Sequence, residues 1–247
     1  MRITLNTNIN NPDLEPADPL AGLLRPSIIA GYAMLDASDF SGNGKNLTYA
    51  GTFNAQGAVL DGTRANAMTA PIADTSEFTL IYCCNLNSLP AGSPQKSFIN
   101  SLNVSGATYK GFRILGQPSG SGGFFFSQRG TQTERVMNST FTGAWTVQMV
   151  RVRQQDASSS IAQRVTHGLA ITTLSGGTPA FQSDPSTGPI YIGGVPSGVT
   201  AAGSIVDGVT GTLGMLLFYN EWFDDATGKT IMDNVQKIMA GRGVTVP

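Results

Sequence analysis

Charged residues are scarce in this sequence. Asp, Glu, Lys and Arg make up 13% of the 247 residues, about half the share found in typical soluble domains. The formal net charge is −1, and the nearest approach to a basic cluster is the pair Arg151 and Arg153, whose alternation is typical of one face of a strand. Because nucleic-acid binding depends on clustered cations that neutralise phosphates, we expect no nucleic-acid partner. A surface of neutral polar residues suits glycans or packing within a large assembly.

Cysteine and histidine are almost absent. The two cysteines, Cys83 and Cys84, are adjacent, and neighbours in a strand point to opposite faces, so we predict two free thiols and no disulfide. The chain has a single histidine, His167, and no zinc-ligand spacing. A Ser-His-Asp triad would have to use His167, which we interpret instead as a structural or surface residue within a strand.

Long apolar runs are also missing. No run approaches the roughly 18 residues of a membrane-spanning helix. The first eight residues lack the apolar segment of a secretory signal, so we expect a protein that is made in the cytoplasm and is not inserted into a membrane.

Glycine and proline are abundant instead, with 30 and 13 copies beside 40% hydrophobic residues. This profile predicts many short strands joined by tight turns. Apolar patterning places strands at residues 28–36, 58–60, 67–70, 78–86, 98–102, 111–115, 123–128, 145–153, 162–172, 190–193 and 213–220. The last of these is apolar on both faces and is expected at the centre of a sheet. We therefore predict an all-β fold, a two-sheet antiparallel jelly-roll sandwich.

One helix is predicted near the end of the chain. Four apolar residues recur at helical spacing and form one face, namely Ile231, Val235, Ile238 and Met239. Asp224 or Thr227 is suited to cap the first turn, and Gly241 is suited to end the helix. We expect this helix to pack over the edge of a sheet or the end of the sandwich.

Residues 1–27 differ from the rest of the chain. Three prolines within residues 12–19 exclude a regular helix or a central strand, and a leucine-rich stretch follows at residues 20–24. We predict an extended N-terminal arm over residues 1–27 and one β-sandwich domain over residues 28–247. The arm either lies on its own domain or reaches a neighbouring subunit.

Six segments of the predicted sandwich carry short motifs. They are residues 39–46 (DFSGNGKN), 58–62 (AVLDG), 76–80 (SEFTL), 145–147 (WTV), 190–194 (IYIGG) and 211–220 (GTLGMLLFYN). In this order they resemble motifs of the laminin G-like domains, which belong to the concanavalin A-like lectin and glucanase superfamily. The resemblance covers about residues 30–240 and implies the fold. It says less about function, because this fold hosts lectins, adhesion domains, glycanases and virion parts.

Two departures from the family bear on chemistry. Members that bind calcium often have an acidic residue early in the final strand, and residues 213–216 have none. Asp36, Asp39 and Asn43 are the remaining candidate calcium ligands, although we favour a turn in which they bond to the backbone. The family's glucanases have clustered carboxylates on one strand, whereas the acidic pairs here, Glu221/Asp224 and Asp224/Asp225, lie at a helix start. We therefore predict no enzyme, no cofactor and no metal or catalytic residue.

Aromatic residues are candidates for stacking on sugars. They are Tyr109, Phe112, Phe124, Phe125, Phe126, Tyr219 and Trp222, and we expect Trp222 to cover the core. Together with the arm and the low charge, the resemblance leads us to predict a non-enzymatic bacteriophage virion protein of the tail fibre, tail tip or baseplate. It would contact host-surface glycan, dock to other virion subunits through the arm and form a homo-oligomer. The alternatives are a purely structural capsid decoration or cement protein and a glycan-processing enzyme.

Overall fold

A computed structural model describes residues 19–101, 103–105, 108–118, 121–126, 139–141, 143–154, 156, 160–168, 171–175, 186, 188–199 and 205–247. In chain order the strands are β1 (Ile28–Tyr32), β2 (Phe53–Asn54), β3 (Gly57–Asp61), β4 (Met68–Ala70), β5 (Phe78–Leu86), β6 (Lys96–Asn100), β7 (Asn103–Ser105), β8 (Thr108–Lys110), β9 (Phe112–Gly116), β10 (Ser121–Phe126), β11 (Ser139–Thr140), β12 (Thr146–Gln154), β13 (Ser160–Thr166), β14 (Ile171–Ser175), β15 (Ile190–Ile192) and β16 (Thr210–Tyr219). The α-helix α1 spans Asp225–Ala240, and 3-10 turns span Ala21–Leu23 and Arg64–Asn66. No helix in these ranges is long and apolar enough to cross a lipid bilayer.

The strands form two antiparallel sheets. The large sheet has the strand order β14-β13-β12-β5-β16-β3-β2, with β1 also paired to β16. The second sheet has the order β11-β10-β9-β6-β15-β4, and β7 and β8 form a separate hairpin. Every pairing between these strands is antiparallel. The prediction of an all-β sandwich of two antiparallel sheets is confirmed.

The two sheets enclose the main hydrophobic core. Phe78 of β5 stacks on Phe112 of β9 with ring centroids 5.1 Å apart, and it lies 5.9 Å from the ring of Phe218 on β16. The buried Tyr82 hydroxyl donates to Gln148 Oε1 at 2.8 Å, so the polar group that this ring brings into the core is satisfied. Burial of each ring stabilises the fold by about 1.5–3 kcal/mol. Contacts between aromatic residues of the two sheets therefore help to hold the sheets face to face.

The outer face of the large sheet carries a second hydrophobic core, which α1 covers. Successive residues of β5 alternate between the two cores, so that Leu80 faces the inner one and Ile81 the outer one. Cys83 and Cys84 follow this alternation as two buried free thiols, which confirms the prediction. Burial raises the pKa of Cys83 to about 12, so this thiol stays protonated and unreactive at neutral pH.

Helix α1 begins and ends where the sequence predicts. Asp224 Oδ1 accepts the backbone N–H of Thr227 at 2.6 Å, and Gly241 follows the last helical residue. The helix packs on the outer face of β12 and β5, which are central strands, so the expected position at an edge or end was wrong. Strand β5 is apolar on both faces, and β12 adds Val147 and Met149 to the outer one, so this apolar part of the outer face needs a cover of its own.

The strand predicted over residues 162–172 is two strands, so this prediction was wrong. The chain reverses at His167 and Gly168, where Gly168 has a φ of 74° that glycine adopts without steric cost. Strand β14 returns antiparallel to β13, with Ile171 beside Val165. His167 consequently lies in a turn. Parts of three predicted strands, at residues 102, 127–128 and 169–170, lie outside the described residues.

The described part of the predicted arm packs on its own domain. Leu23 is fully buried in the outer core, and the Tyr219 hydroxyl donates to its carbonyl oxygen at 2.8 Å. The Asn234 amide of α1 donates to the carbonyl oxygen of Gly22 at 3.4 Å. Residues 1–18 lie outside the described residues, and docking of the arm to a neighbouring subunit stays a prediction.

Candidate functional site

The turn that contains Asp36, Asp39 and Asn43 is closed by hydrogen bonds to the backbone. Asp36 and Asn43 bond to nearby main-chain groups. The Asp39 carboxylate accepts three backbone N–H groups, those of Gly31 and Ser41 at 2.9 Å and of Lys45 at 3.0 Å. Within the described ranges, no three His, Cys, Asp or Glu side chains gather as a metal site would require. The favoured interpretation, a turn closed by its own side chains, is confirmed for Asp36 and Asp39, whereas the Asn43 amide donates to the Ile28 carbonyl oxygen of β1 at 2.8 Å.

We expect Asp39→Asn to lower the free energy of unfolding at pH 7 by about 1–2 kcal/mol, because its amide nitrogen would face the Lys45 N–H. Partial burial raises the pKa of Asp39, but the backbone donors outweigh it and hold this pKa below its ordinary value. Because the pKa is lower in the folded state, the carboxylate stabilises the fold above about pH 4, the range of an unfolded Asp. That contribution is lost as the pH falls through the folded pKa.

Urea unfolding of wild type and Asp39→Asn between pH 7 and pH 3 checks this expectation. The difference in unfolding free energy between wild type and Asp39→Asn should become smaller as the pH falls. Asp36→Asn is the control, because Asp36 accepts a single exposed N–H that an amide oxygen also accepts, and it should change stability by less than about 0.5 kcal/mol. A difference for Asp39→Asn that stays constant over the pH range would contradict the prediction.

The structure separates the aromatic candidates for sugar stacking. Phe112 and Tyr219 are fully buried and cannot meet a ligand. The side chains of Tyr109, Phe124, Phe125 and Phe126 lie outside those that the structure describes. Trp222 is half-buried and lines an open cleft, so it is the candidate to consider further.

The cleft around Trp222 has a volume of about 520 Å³, and we call it the Trp222 cleft. It is lined by Arg151, Arg153, Gln163, Glu221, Trp222, Asp224, Asp225 and Thr227. These residues come from three places: the outer face of β12 and β13, the segment that follows β16, and the first turn of α1. The lining therefore combines one aromatic ring with charged, amide and hydroxyl groups.

The segment after β16 is fixed by Thr79, a buried residue near the start of β5. The Thr79 hydroxyl donates to the Glu221 carbonyl oxygen at 2.6 Å and accepts the Phe223 N–H at 3.1 Å. Phe223 inserts into the outer core and packs on Tyr219 with ring centroids 4.6 Å apart. Anchored on both sides, Trp222 is held on the outer face of the large sheet.

Arg151 contacts the Trp222 ring and is itself buried. Its guanidinium lies 4.5 Å from the indole centroid, within the range of a cation–π contact, and its side chain is only 3% exposed. Its N–H groups donate to Gln163 Oε1, to the Phe223 carbonyl oxygen and to Asp225. This arginine thus joins β13, the segment after β16 and α1 in one network.

Arg153 makes a different contact with the same ring. It lies two residues further along β12 on the same face, and its guanidinium is 4.6 Å from the indole centroid. The side chain is exposed. Among the described residues it forms no ion pair and donates no hydrogen bond. The ring of Trp222 therefore contacts one cation that is fully engaged and one that is not.

The carboxylates of the cleft have structural partners. Glu221 accepts the Ser27 hydroxyl at 2.6 Å, and Asp225 pairs with Arg151. Asp224 caps α1, and the hydrogen bond from the backbone N–H of Thr227 lowers its pKa. The acidic pairs at the helix start therefore act in the cap and in the arginine network, as negative charge at a helix N-terminus favours.

His167 lies apart from the Trp222 cleft. Its Nε2 is 2.8 Å from Asp233 Oδ1 on α1, and Lys229 Nζ donates to the same carboxylate at 2.6 Å. Partial burial raises the pKa of Asp233, but the hydrogen bonds from Lys229 and His167 lower it below its ordinary value. A cavity of about 390 Å³ adjoins these groups. The structural role predicted for His167 fits these contacts, since they tie the β13–β14 turn to α1.

Solved structures of similar fold exist despite very low sequence identity. The ligand binding domain of botulinum neurotoxin serotype D, in complex with N-acetylneuraminic acid, matches with a TM-score of 0.60 and 9% identity, covering 87% of this chain and 52% of that chain. Trypanosoma rangeli sialidase in complex with sialic acid matches with a TM-score of 0.62 and 13% identity, covering 86% of this chain and 33% of that chain. The chain thus spans about half of the toxin domain and a third of the sialidase. The likeness shows the fold, a β-sandwich jelly roll.

Comparison at the level of sequence gives no relative. No family model matches the chain, and no curated protein matches it.

Sequence reasoning found part of this cleft and missed the rest. It included Trp222 among the aromatic candidates and noted the alternation of Arg151 and Arg153. It did not join them, because the two arginines lie about 70 positions before the tryptophan and no local pattern links them. Gln163 carried no sequence signal at all, since its role depends on the register between β12 and β13, where it pairs with Arg151.

Proposed function

We propose that this chain is a carbohydrate-binding module without catalytic activity, and that the Trp222 cleft holds the sugar. The observation that carries the proposal is the half-buried indole of Trp222, which Arg151 and the anchored segment after β16 hold in place among polar side chains in an open cleft. Aromatic faces stack on the apolar faces of pyranose rings, and the hydroxyl groups of a sugar need donors and acceptors around them. This cleft offers both.

Preorganisation supports this reading of the cleft. Arg151 is buried and hydrogen-bonded to three neighbours, and Thr79 fixes the backbone on both sides of Trp222. A ring that is already held in place loses little conformational entropy when a ligand stacks on it. In addition, two of the similar structures hold N-acetylneuraminic acid or sialic acid, which supports a glycan as the ligand class.

The state of the carboxylates supports a binding role over glycoside hydrolysis. A glycosidase generally needs two carboxyl groups that flank the scissile bond, one of them with a raised pKa as the general acid. In the Trp222 cleft, Asp225 is paired with Arg151, and the pKa of Asp224 is lowered by its cap to Thr227. Both carboxylates are engaged by the fold, and the lowered pKa of Asp224 does not suit a general acid at neutral pH.

We also propose the biological setting that the sequence suggested. The module would be a homo-oligomeric bacteriophage virion protein of the tail fibre, tail tip or baseplate, assembled in the host cytoplasm. There it would contact a host-surface polysaccharide and dock to neighbouring virion subunits through the N-terminal arm. The low content of charge and the proline-rich residues 12–19 support an assembly protein. A purely structural capsid decoration or cement protein is the alternative.

Binding to an immobilised glycan panel tests the proposal. The panel contains bacterial surface polysaccharides and defined oligosaccharides, and wild type should bind a subset of them. Trp222→Ala should weaken every interaction by about thirtyfold or more, because a buried tryptophan at a binding site is worth about 2 kcal/mol. Trp222→Phe keeps an aromatic face and should retain most of the affinity.

Folding has to be controlled in the same experiment. The thermal unfolding midpoint of each variant shows whether lost binding reflects a lost ligand contact or a lost fold. Wild-type protein that is folded and binds no member of the panel would favour the structural alternative. Equal binding by Trp222→Ala and wild type would place any glycan site elsewhere on the surface.

A further inference from the structure

We infer that the sugar recognised in the Trp222 cleft carries a carboxylate and that Arg153 binds this group, an inference that rests on the proposed function. Most charges of the cleft already have partners within the protein, whereas Arg153 has no ion pair or hydrogen bond with a described residue. A charge that is balanced internally contributes little to ligand choice, whereas an unbalanced one selects for its opposite.

Each carboxylate of the cleft has a partner. The Glu221 carboxylate accepts the Ser27 hydroxyl at 2.6 Å and lies 3.9 Å from Arg25 Nη2. Asp224 accepts the backbone N–H of Thr227 at the positive end of α1. Asp225 pairs with the buried Arg151. These groups serve the fold, and an entering ligand would have to compete for them.

The two arginines of the cleft differ in how many of their N–H donors are used within the protein. Arg151 is buried and uses its donors on Gln163, Phe223 and Asp225. Arg153 is exposed, and its guanidinium forms no hydrogen bond or ion pair with a described residue, only a ring contact with the indole of Trp222 at 4.6 Å. A guanidinium has five N–H donors and binds a carboxylate through two of them in a planar fork. Arg153 therefore has this capacity unused at the rim of the cleft.

The stacking contact makes this arginine selective. A long side chain free in solution loses rotamer entropy when it pairs with an ion, which keeps most surface ion pairs weak. Contact with the indole restrains Arg153 before the ligand arrives, so less entropy is lost on pairing. A sugar that stacks on the same tryptophan would bring its substituents within reach of the guanidinium. Trp222 would thus contact the sugar ring while Arg153 binds the carboxylate of the same sugar.

The test uses glycans that differ by one negative charge. The probes are oligomers of a hexuronic acid and their methyl esters, and matched oligosaccharides with and without a terminal sialic acid. Wild type should bind the carboxylate-bearing member of a pair more tightly than its neutral partner. Arg153→Gln should weaken binding of the acidic members by about tenfold or more and leave the neutral members unchanged, since a charge-assisted pair is lost.

Two further variants complete the design. Lys229→Gln removes one positive charge from α1 outside the cleft, at a side chain that is 71% exposed, and should leave the preference for acidic glycans intact. Arg153→Lys keeps the charge but not the planar fork, and should retain part of the preference. Added salt should weaken binding of the acidic glycans more than binding of the neutral ones, because it screens the interaction of Arg153 with the carboxylate.

The outcomes separate this inference from the proposed function. If wild type prefers neutral glycans, or Arg153→Gln keeps the full preference for acidic ones, the role of Arg153 is overturned while glycan binding stands. If folded wild type binds neither member of any pair nor any other glycan of the panel, the proposed function itself fails. Loss of both acidic and neutral binding in Trp222→Ala, with loss of acidic binding alone in Arg153→Gln, supports both.

Discussion

Replacing Gly208 by alanine is expected to lower the free energy of unfolding by about 3 kcal/mol or more, because a new Cβ has no space there. Gly208 is buried just before β16, and its N–H donates to the Gly62 carbonyl oxygen at 2.9 Å. A Cβ built on it would overlap the carbonyl group of Gly193 at the end of β15. The overlapping atoms belong to the backbone and not to the tip of a flexible side chain, so the steric overlap can be removed only if one of the two backbone segments moves.

The position of Gly208 makes such a movement costly. Ser97 N–H donates to the Asp207 carbonyl oxygen at 2.7 Å, and Val209 N–H donates to the Ser97 carbonyl oxygen at 3.0 Å. These bonds tie the start of β16 in the large sheet to β6 of the second sheet. Displacing Gly208 therefore disturbs a junction between the two layers and not a single loop.

Urea and thermal unfolding measure this effect. For a chain of this size, a loss of 3 kcal/mol corresponds to a fall in melting temperature of roughly 6–12 °C. Gly241→Ala is the matched control, because Gly241 follows α1 with a helical φ of −61° and should change stability by less than about 1 kcal/mol. A Gly208→Ala protein as stable as the control would show that the junction adjusts easily and would contradict the steric argument.

The elements that could be predicted from sequence are those decided by local patterns. Strand β5 has the predicted bounds because Phe78–Leu86 is apolar except at Thr79 and Asn85 and lies between polar turns. The cap of α1 at Asp224 and the turn at Asp39 depend on side chains that bond to backbone a few residues away. In each case the decisive interaction lies within the window that a sequence pattern covers.

The errors arose where tertiary contacts decide. The reversal at His167 and Gly168 was missed because apolar and threonine residues continue on both sides of it, as a single strand would have them. The placement of α1 was missed because an apolar helical face does not say which surface it covers. A signal for the second error was present: Ile81 and Cys83 of β5 alternate with residues as apolar as themselves, so both faces of the strand need cover.

The candidate site could be predicted only in fragments for the same reason. Its tryptophan and its two arginines belong to types that sequence reasoning can select, but their proximity depends on the pairing of β12 with β5 and on the path of the chain after Tyr219. The availability of Arg153 is visible only once Arg151 is seen to be buried and bonded. Composition alone treats the two arginines as equivalent.

The structure predicts that substitution of Arg151 lowers the stability of the fold much more than substitution of Arg153. Arg151→Met removes a buried side chain together with the N–H groups that donate to Gln163 Oε1 and to the buried Phe223 carbonyl oxygen. Since an unsatisfied buried polar group costs about 1–3 kcal/mol, we expect a loss of roughly 2–4 kcal/mol in unfolding free energy. Asp225 adds little to this loss because its side chain is 70% exposed and is rehydrated when its partner leaves.

Arg153→Met has the same change in size and charge at an exposed position of the same strand. Its guanidinium has no ion pair or hydrogen bond to a described residue, and only the exposed contact with the Trp222 ring is lost, so the variant should alter stability by less than about 1 kcal/mol. Urea unfolding of the two variants side by side measures the contrast. Equal destabilisation by both would mean that the network around Arg151 contributes no more than a surface contact.

The same pair of variants separates support of the site from recognition of the ligand. Because Arg151 holds Trp222, Gln163 and the start of α1 in one network, Arg151→Met should weaken binding of acidic and neutral glycans alike. Arg153→Met should weaken only the acidic ones. If Arg151→Met instead left neutral glycans bound at full affinity, the Trp222 ring would be positioned without it, and Thr79 with the buried Phe223 would be sufficient to hold the platform.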